Sequence, residues 1–156
     1  MTTAKTLDIS VGQYELSIDI DAPRDRVWRA LLEETGSWWL PTYHMVGAGS
    51  QIEFDISPGG RGLIEHRADG SFLQWYTVQF FQPTEFKLFL VGNIAPEYGG
   101  PSTSNLCISL IEREGGTTLN VSDTHLGRVD ERFLQSLEGG WKEIFGDGLR
   151  QHVESA

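Results

Sequence analysis

The sequence predicts an α+β fold, a bent antiparallel sheet with a long C-terminal helix laid across its apolar face. Three observations carry that expectation. Runs of alternating apolar and polar residues follow one another from Gln51 to His125 through turn signals, and consecutive hairpins build an antiparallel sheet. The segment from about Asp130 to Glu154 holds Phe133, Leu137, Trp141, Phe145, Leu149 and Val153 in an unbroken i+4 row, which is the apolar stripe of a helix. Only one other helical pattern is present, and it lies early, between the first strand and the rest. A bent sheet has one apolar face to bury, and the terminal helix is the element available to cover it.

Taken in order, "YELSIDIDAP" sets Leu16, Ile18 and Ile20 against Ser17, Asp19 and Asp21, a half-buried strand. Pro23 suits the first turn of a helix, and Asp25 favours the positive end of its dipole. Val27, Trp28, Leu31 and Leu32 give that helix its apolar stripe, Gly36 ends it, and "SWWLP" is a turn or a helical stub. "QIEFDIS" puts Ile52, Phe54 and Ile56 on one face, and "SPGGRG" turns the chain. "GLIEHRADGSFLQWYTVQFFQP" is two strands joined at Asp69-Gly70. "EFKLFLV" alternates Phe86, Leu88 and Leu90, and residues 92–103 form a long Gly/Pro-rich loop of the kind that is functional or disordered. "NLCISLIEREGGTTLNVSDTH" is a hairpin turning at Gly115-Gly116.

The terminal helix contains a conflict. "GGWKEIFGDGL", residues 139–149, has helical spacing yet four glycines, each costing roughly 1 kcal/mol against alanine in a helix interior. The i+4 row wins, so the glycines are assigned to packing: Gly140 and Gly148 let the helix approach the sheet while Trp141 and Phe145 fill the space beside it. A helix so weakened is also a candidate gate.

The chain of 156 residues fits one domain spanning 1–156, with an ordered core of about 14–153. Its formal net charge of -10 argues against nucleic acid and against an anionic membrane surface. No apolar run is long enough for a membrane span, and the opening residues lack the apolar stretch of a signal peptide. A single cysteine, Cys107, excludes an intrachain disulfide, reads as a structural thiol, and makes the cytoplasm the natural compartment. Four histidines without HxH, HExxH or CxxC spacing give no metal signal, and no phosphate loop, dinucleotide fingerprint or nucleophile elbow is present, so neither metal nor cofactor is expected.

The residues with chemical interest lie on the last strand. If Leu119 and Val121 face the concave side, period two puts Asp123 and His125 there too. They are a polar anchor for a ligand, an acid–base pair, or groups tied up near the last helix or at a strand end that emerges into solvent. Residues two apart lie about 6.5–7 Å apart along a strand, so the pair needs a ligand or water between its members. His66 shares the face of Ile64 and is either a second inward polar group or an exposed one near the turn. Adjacent Trp38 and Trp39 cannot point the same way on a short helix, which sends one of them to a pocket or to the surface.

The stretches "IDIDAPRDRVWRALLE", "SWW", the Gly-Gly, strand, Asp-Gly, strand, Pro-Thr-Glu order, and "GGWKEIFGDGLRQHVE" together resemble the START-like, helix-grip superfamily. More narrowly they are similar to the branch named after the activator of heat-shock protein 90 ATPase, over about Tyr14 to Val153. The resemblance implies a curved seven-stranded antiparallel sheet gripping the terminal helix around a cavity, with His44 near its mouth. It also implies a hydrophobic ligand of lipid, polyketide or aromatic type, since members bind such molecules and some cyclise or dehydrate them. The residues expected to meet that ligand are Trp38, Trp39, Tyr43, Phe54, His66, Trp75, Phe89, Asp123, His125, Trp141 and Phe145. Asp123 and His125 are the candidates for catalysis should the protein be a cyclase, dehydratase or hydrolase. A third reading is a stress-response interaction module with a chaperone partner, which the net charge permits without favouring, while the lack of the eukaryotic co-chaperone's separate N-terminal domain argues against direct ATPase activation. The expected assembly is a monomer or a homodimer.

Overall fold

The computed structural model of the chain describes residues 3–155, so the outermost ends of the expected domain, residues 1–2 and 156, lie outside the described residues. Seven strands form one antiparallel sheet: β1 (Ser10–Ile20), β2 (Gln51–Asp55), β3 (Gly62–His66), β4 (Phe72–Gln82), β5 (Lys87–Ile94), β6 (Ser102–Arg113) and β7 (Gly116–Gly127). Their order across the sheet is β1-β7-β6-β5-β4-β3-β2, so β1 returns to pair with the last strand. Helices α1 (Arg24–Glu33) and α2 (Thr35–Trp38) sit between β1 and β2. The C-terminal helix runs as α3 (Glu131–Glu143), a π-helical segment (Ile144–Arg150) and α4 (Gln151–Glu154) without a break. This is the helix-grip architecture.

The alternation read in the sequence sets the faces. On β1, Tyr14, Leu16, Ile18 and Ile20 are buried while their neighbours are exposed, and β6 and β7 bury Leu106, Ile108, Leu110, Leu119 and Val121 on the same concave side. Trp141, Phe145, Leu149 and Val153 of the helix row are all buried against them, whereas Phe133 and Leu137, nearer its start, are half-buried. Asp130 caps that start by accepting a hydrogen bond from the Phe133 amide at 2.8 Å.

Several expectations need correcting. The sheet extends ahead of Tyr14, the first buried residue, because Ser10 to Gln13 pair with Thr124 to Gly127. The long loop is shorter than 92–103, because Gly92, Asn93 and Ile94 pair with Ser104, Thr103 and Ser102 and carry the sheet into it. Strict alternation fails on β4, where bulges leave Trp75 and Gln79 without partners. Each bulge inserts one residue and flips the parity beyond it, so Trp75 and its neighbour Tyr76 both turn inward. Trp38 and Trp39 are both buried as well. Helix α2 ends at Trp38 and Trp39 is extended, which lets the two rings enter the core from different backbone directions.

Candidate functional site

A cleft of ≈280 Å³ opens between the C-terminal helix and the concave face of β4, β5 and β6. The helix contributes Leu137, Gly140, Trp141 and Ile144, the sheet contributes Leu73, Trp75, Tyr76, Ile94 and Ser104, and Tyr43, Met45 and Tyr98 stand at its rim. It is mostly apolar, and its volume lies near the lower end of the range for small-molecule sites. Gly92 makes the floor: a Cβ there would meet Tyr76 Cδ1 at 2.8 Å, so only a bare backbone lets the Tyr76 ring lie across the strand.

Behind the Tyr76 and Ser104 wall lies a chain of buried polar groups. Tyr76 Oη is 2.9 Å from Ser104 Oγ, and Ser104 donates to Asp123 Oδ1 at 2.7 Å. The other carboxylate oxygen, Oδ2, accepts from the Tyr14 hydroxyl at 2.5 Å and lies 2.8 Å from His125 Nε2. The opposite ring nitrogen, Nδ1, is 3.1 Å from Ser102 Oγ. Asp123, His125 and Ser104 have no exposed surface, so the carboxylate depends on these partners in place of water. Burial, reinforced by the Asp123 charge, pushes the phenols of Tyr14 and Tyr76 well above the ordinary tyrosine range.

A second buried carboxylate organises the rim. Glu65 accepts from the amides of Met45 and Val46 at 3.1 and 2.8 Å, from Ser50 Oγ at 2.8 Å and from Trp75 Nε1 at 3.1 Å. His44 Nδ1 lies 2.7 Å from the same Ser50 hydroxyl. Since Ser50 spends its proton on Glu65, His44 must donate, which fixes its tautomer. Tyr43 ties the rim to the helix by donating to Glu143 Oε2 at 3.0 Å. Burial, then this bond, raises its phenol.

The expected site residues divide into four groups. Tyr43, Trp75 and Trp141 line the cleft. Trp38, Trp39, Phe54 and Phe145 surround a gap of only ≈10 Å³ deeper under the helix, so they pack core instead of walling a cavity. Asp123 and His125 do face inward, but they sit behind the cleft wall and touch each other directly. The expected separation along the strand fails because the two side chains lean together. His66 and Phe89 are corrections. His66 is partly exposed and meets Glu53 at 3.1 Å, while its neighbour Glu65 takes the inward position. Phe89 alternates with the buried Leu88 and Leu90, so parity puts it on the convex face, stacked on Phe80 at 4.7 Å.

Tyr14, Tyr76, Ser102, Ser104 and Glu65 were not among the expected residues. Tyr14 carried a signal, since it shares the parity of Leu16, Ile18 and Ile20. So did Ser104, which the β6–β7 register sets opposite His125. Nothing local in the sequence marks the bulge that turns Tyr76 inward.

With the geometry in place, comparison with known proteins adds the following. The family model described as activator of Hsp90 ATPase homolog 1-like protein matches residues 21–154. No curated protein matches significantly. Among solved structures, Ara h 8.0201 superposes with a TM-score of 0.66 at 14% identity, covering 94% of this chain and 100% of its own. DynU16, a protein of the dynemicin biosynthetic locus, gives 0.66 at 21% identity, and the match covers 91% of this chain but only 47% of DynU16. CalU16 from Micromonospora echinospora gives 0.59 at 18% identity over 94% of this chain and 83% of its own. At these identities the likeness is one of fold. No helix among the described residues is long and apolar enough to cross a membrane.

Proposed function

The chain belongs to the activator of Hsp90 ATPase homolog 1-like family, and on that footing we propose that it is a small-molecule-binding protein whose cleft takes an apolar, lipid-, polyketide- or aromatic-like ligand. One observation carries the reading: the ≈280 Å³ cleft is walled mostly by aromatic and aliphatic side chains, with a few polar residues among them, including Tyr76 backed by Ser104. Apolar walls supply affinity through burial, and a few convergent polar groups supply orientation. Cys107, a lone half-buried thiol, fits a protein acting in the reducing cytoplasm.

Binding is favoured over catalysis because Asp123 and His125 are sealed behind the wall, where no substrate atom reaches them without displacing Ser104 or Tyr76. The test is a screen of fatty acids, sterols and aromatic polyketides by native mass spectrometry and thermal shift. It is run beside Gly140→Leu, which projects a side chain toward Tyr43 and into the cleft. The reading expects a stoichiometric, stabilising ligand that Gly140→Leu excludes. Ligands that bind the variant as well as the parent protein would contradict it.

A further inference from the structure

The buried chain of hydroxyls fixes where its protons go. As a carboxylate, Asp123 can only accept, and it takes protons from Tyr14, from His125 Nε2 and from Ser104. With the Ser104 proton committed to Asp123, Ser104 Oγ can only accept from Tyr76, so the phenol must donate along the 2.9 Å contact. At the far end, His125 Nδ1 lies 3.1 Å from the Ser102 hydroxyl. Every hydroxyl proton at the inner end of the cleft is therefore engaged inside the wall. What Tyr76 keeps for the cleft is an oxygen lone pair, with Ser104 enclosed behind it.

We propose that the inner end of the cleft is a hydrogen-bond acceptor site, selecting a neutral aromatic or polycyclic ligand that carries a hydroxyl or amine donor and rejecting carboxylates and pure acceptors. This rests on the binding reading above and names its ligand class. A donor O–H or N–H completes the valence of Tyr76 without disturbing the chain behind it. A ketone or ether oxygen in the same place faces lone pairs and leaves both partners unsatisfied. A carboxylate also meets the charge of Asp123 behind the Tyr76 and Ser104 hydroxyls. The raised phenol of Tyr76 agrees, since the group keeps its proton and stays neutral in front of the Asp123 charge.

The experiment is a calorimetric titration of the full chain with four probes of one size: β-naphthol, β-fluoronaphthalene, β-naphthaldehyde and β-naphthoate. The expected order puts naphthol about tenfold tighter than fluoronaphthalene, as one added hydrogen bond allows, with the aldehyde no better than fluoronaphthalene and the naphthoate weakest. In the Tyr76→Phe, Ser104→Ala double variant the naphthol advantage disappears while fluoronaphthalene still binds. The probe series in the parent protein decides the matter even where that variant does not fold. Equal binding of naphthol and fluoronaphthalene, or a preference for the aldehyde or the naphthoate, overturns the acceptor site and leaves the binding cleft standing. Failure of all four to bind overturns the cleft reading and the acceptor site with it.

Discussion

The Tyr14 hydroxyl donates a 2.5 Å hydrogen bond to Asp123 Oδ2, joining strands β1 and β7 inside the core across 109 residues of sequence. It closes a set of three donors around one buried carboxylate, with His125 and Ser104 supplying the others. Removing the acceptor strands all three. Asp123→Ala is expected to cost about 3–5 kcal/mol, as when one partner of a buried charged pair is deleted. Tyr14→Phe removes one donor and costs about 1–3 kcal/mol. Denaturant unfolding of both single variants and the double variant checks this. Tyr14→Phe should add little once Asp123 is gone, because the pair acts as a unit.

The same burial predicts behaviour in alkali. Tyr14 and Tyr76 have folded-state values raised above their unfolded ones, first by burial and then by the Asp123 charge. A raised value means that the stability from these groups is whole below the ordinary tyrosine range of about pH 10 and is lost as pH climbs beyond it, where the unfolded chain ionises first. Ultraviolet titration should show two phenols that ionise only on unfolding. Tyr76→Phe should flatten the alkaline fall in stability. All four phenols of the chain titrating near pH 10 in the folded state would contradict the buried network.

How far the sequence carried this site depends on the strand. Parity alone placed Asp123 and His125 on the concave face, because β7 is regular over its whole length. The hairpin also held the partner: with Arg113 opposite Gly116, counting back sets Ser104 opposite His125 and Leu106 opposite Asp123. Strand β4 gave no such guide. Its bulges at Trp75 and Gln79 lie in a run with no glycine or proline to mark them, and their position depends on how the sheet bends around the helix. Glu65 was illegible for a different reason. A carboxylate is buried only where its donors gather, and two of its donors are backbone amides of residues 45 and 46, distant in sequence and without any motif.

Those amides lead to a prediction about the rim. Glu65 holds residues 44–50 against the sheet, and Met45 from that segment stands at the cleft mouth. Glu65→Gln replaces one acceptor oxygen by a donor and should cost about 1–3 kcal/mol. Hydrogen exchange at the Met45 and Val46 amides should quicken more than exchange in β6 and β7. Uniform acceleration across the sheet would mean that Glu65 supports the whole fold and not the rim.

The glycines of the terminal helix separate by position. At Gly148 a Cβ would lie 2.6 Å from the Trp38 carbonyl oxygen, a backbone atom that cannot step aside, so Gly148→Ala is destabilising. At Gly139 a Cβ meets nothing within 4 Å, and Gly139→Ala should stabilise by up to about 1 kcal/mol through helix propensity. The close approach that Gly148 allows is to helix α2, not to the sheet as the sequence suggested, and it falls in the π-helical segment. Thermal unfolding of the two variants should give shifts of opposite sign.

The binding claim is tested most directly by the five tryptophan indole N–H resonances, titrated with β-naphthol. Trp75 and Trp141 line the cleft, whereas Trp28 packs on Phe81 and Phe86, and Trp38 lies in the deeper core. The account predicts that the Trp75 and Trp141 signals shift together and saturably while those of Trp28 and Trp38 stay in place. Shifts at Trp28 or Trp38 with Trp75 and Trp141 unmoved would contradict it.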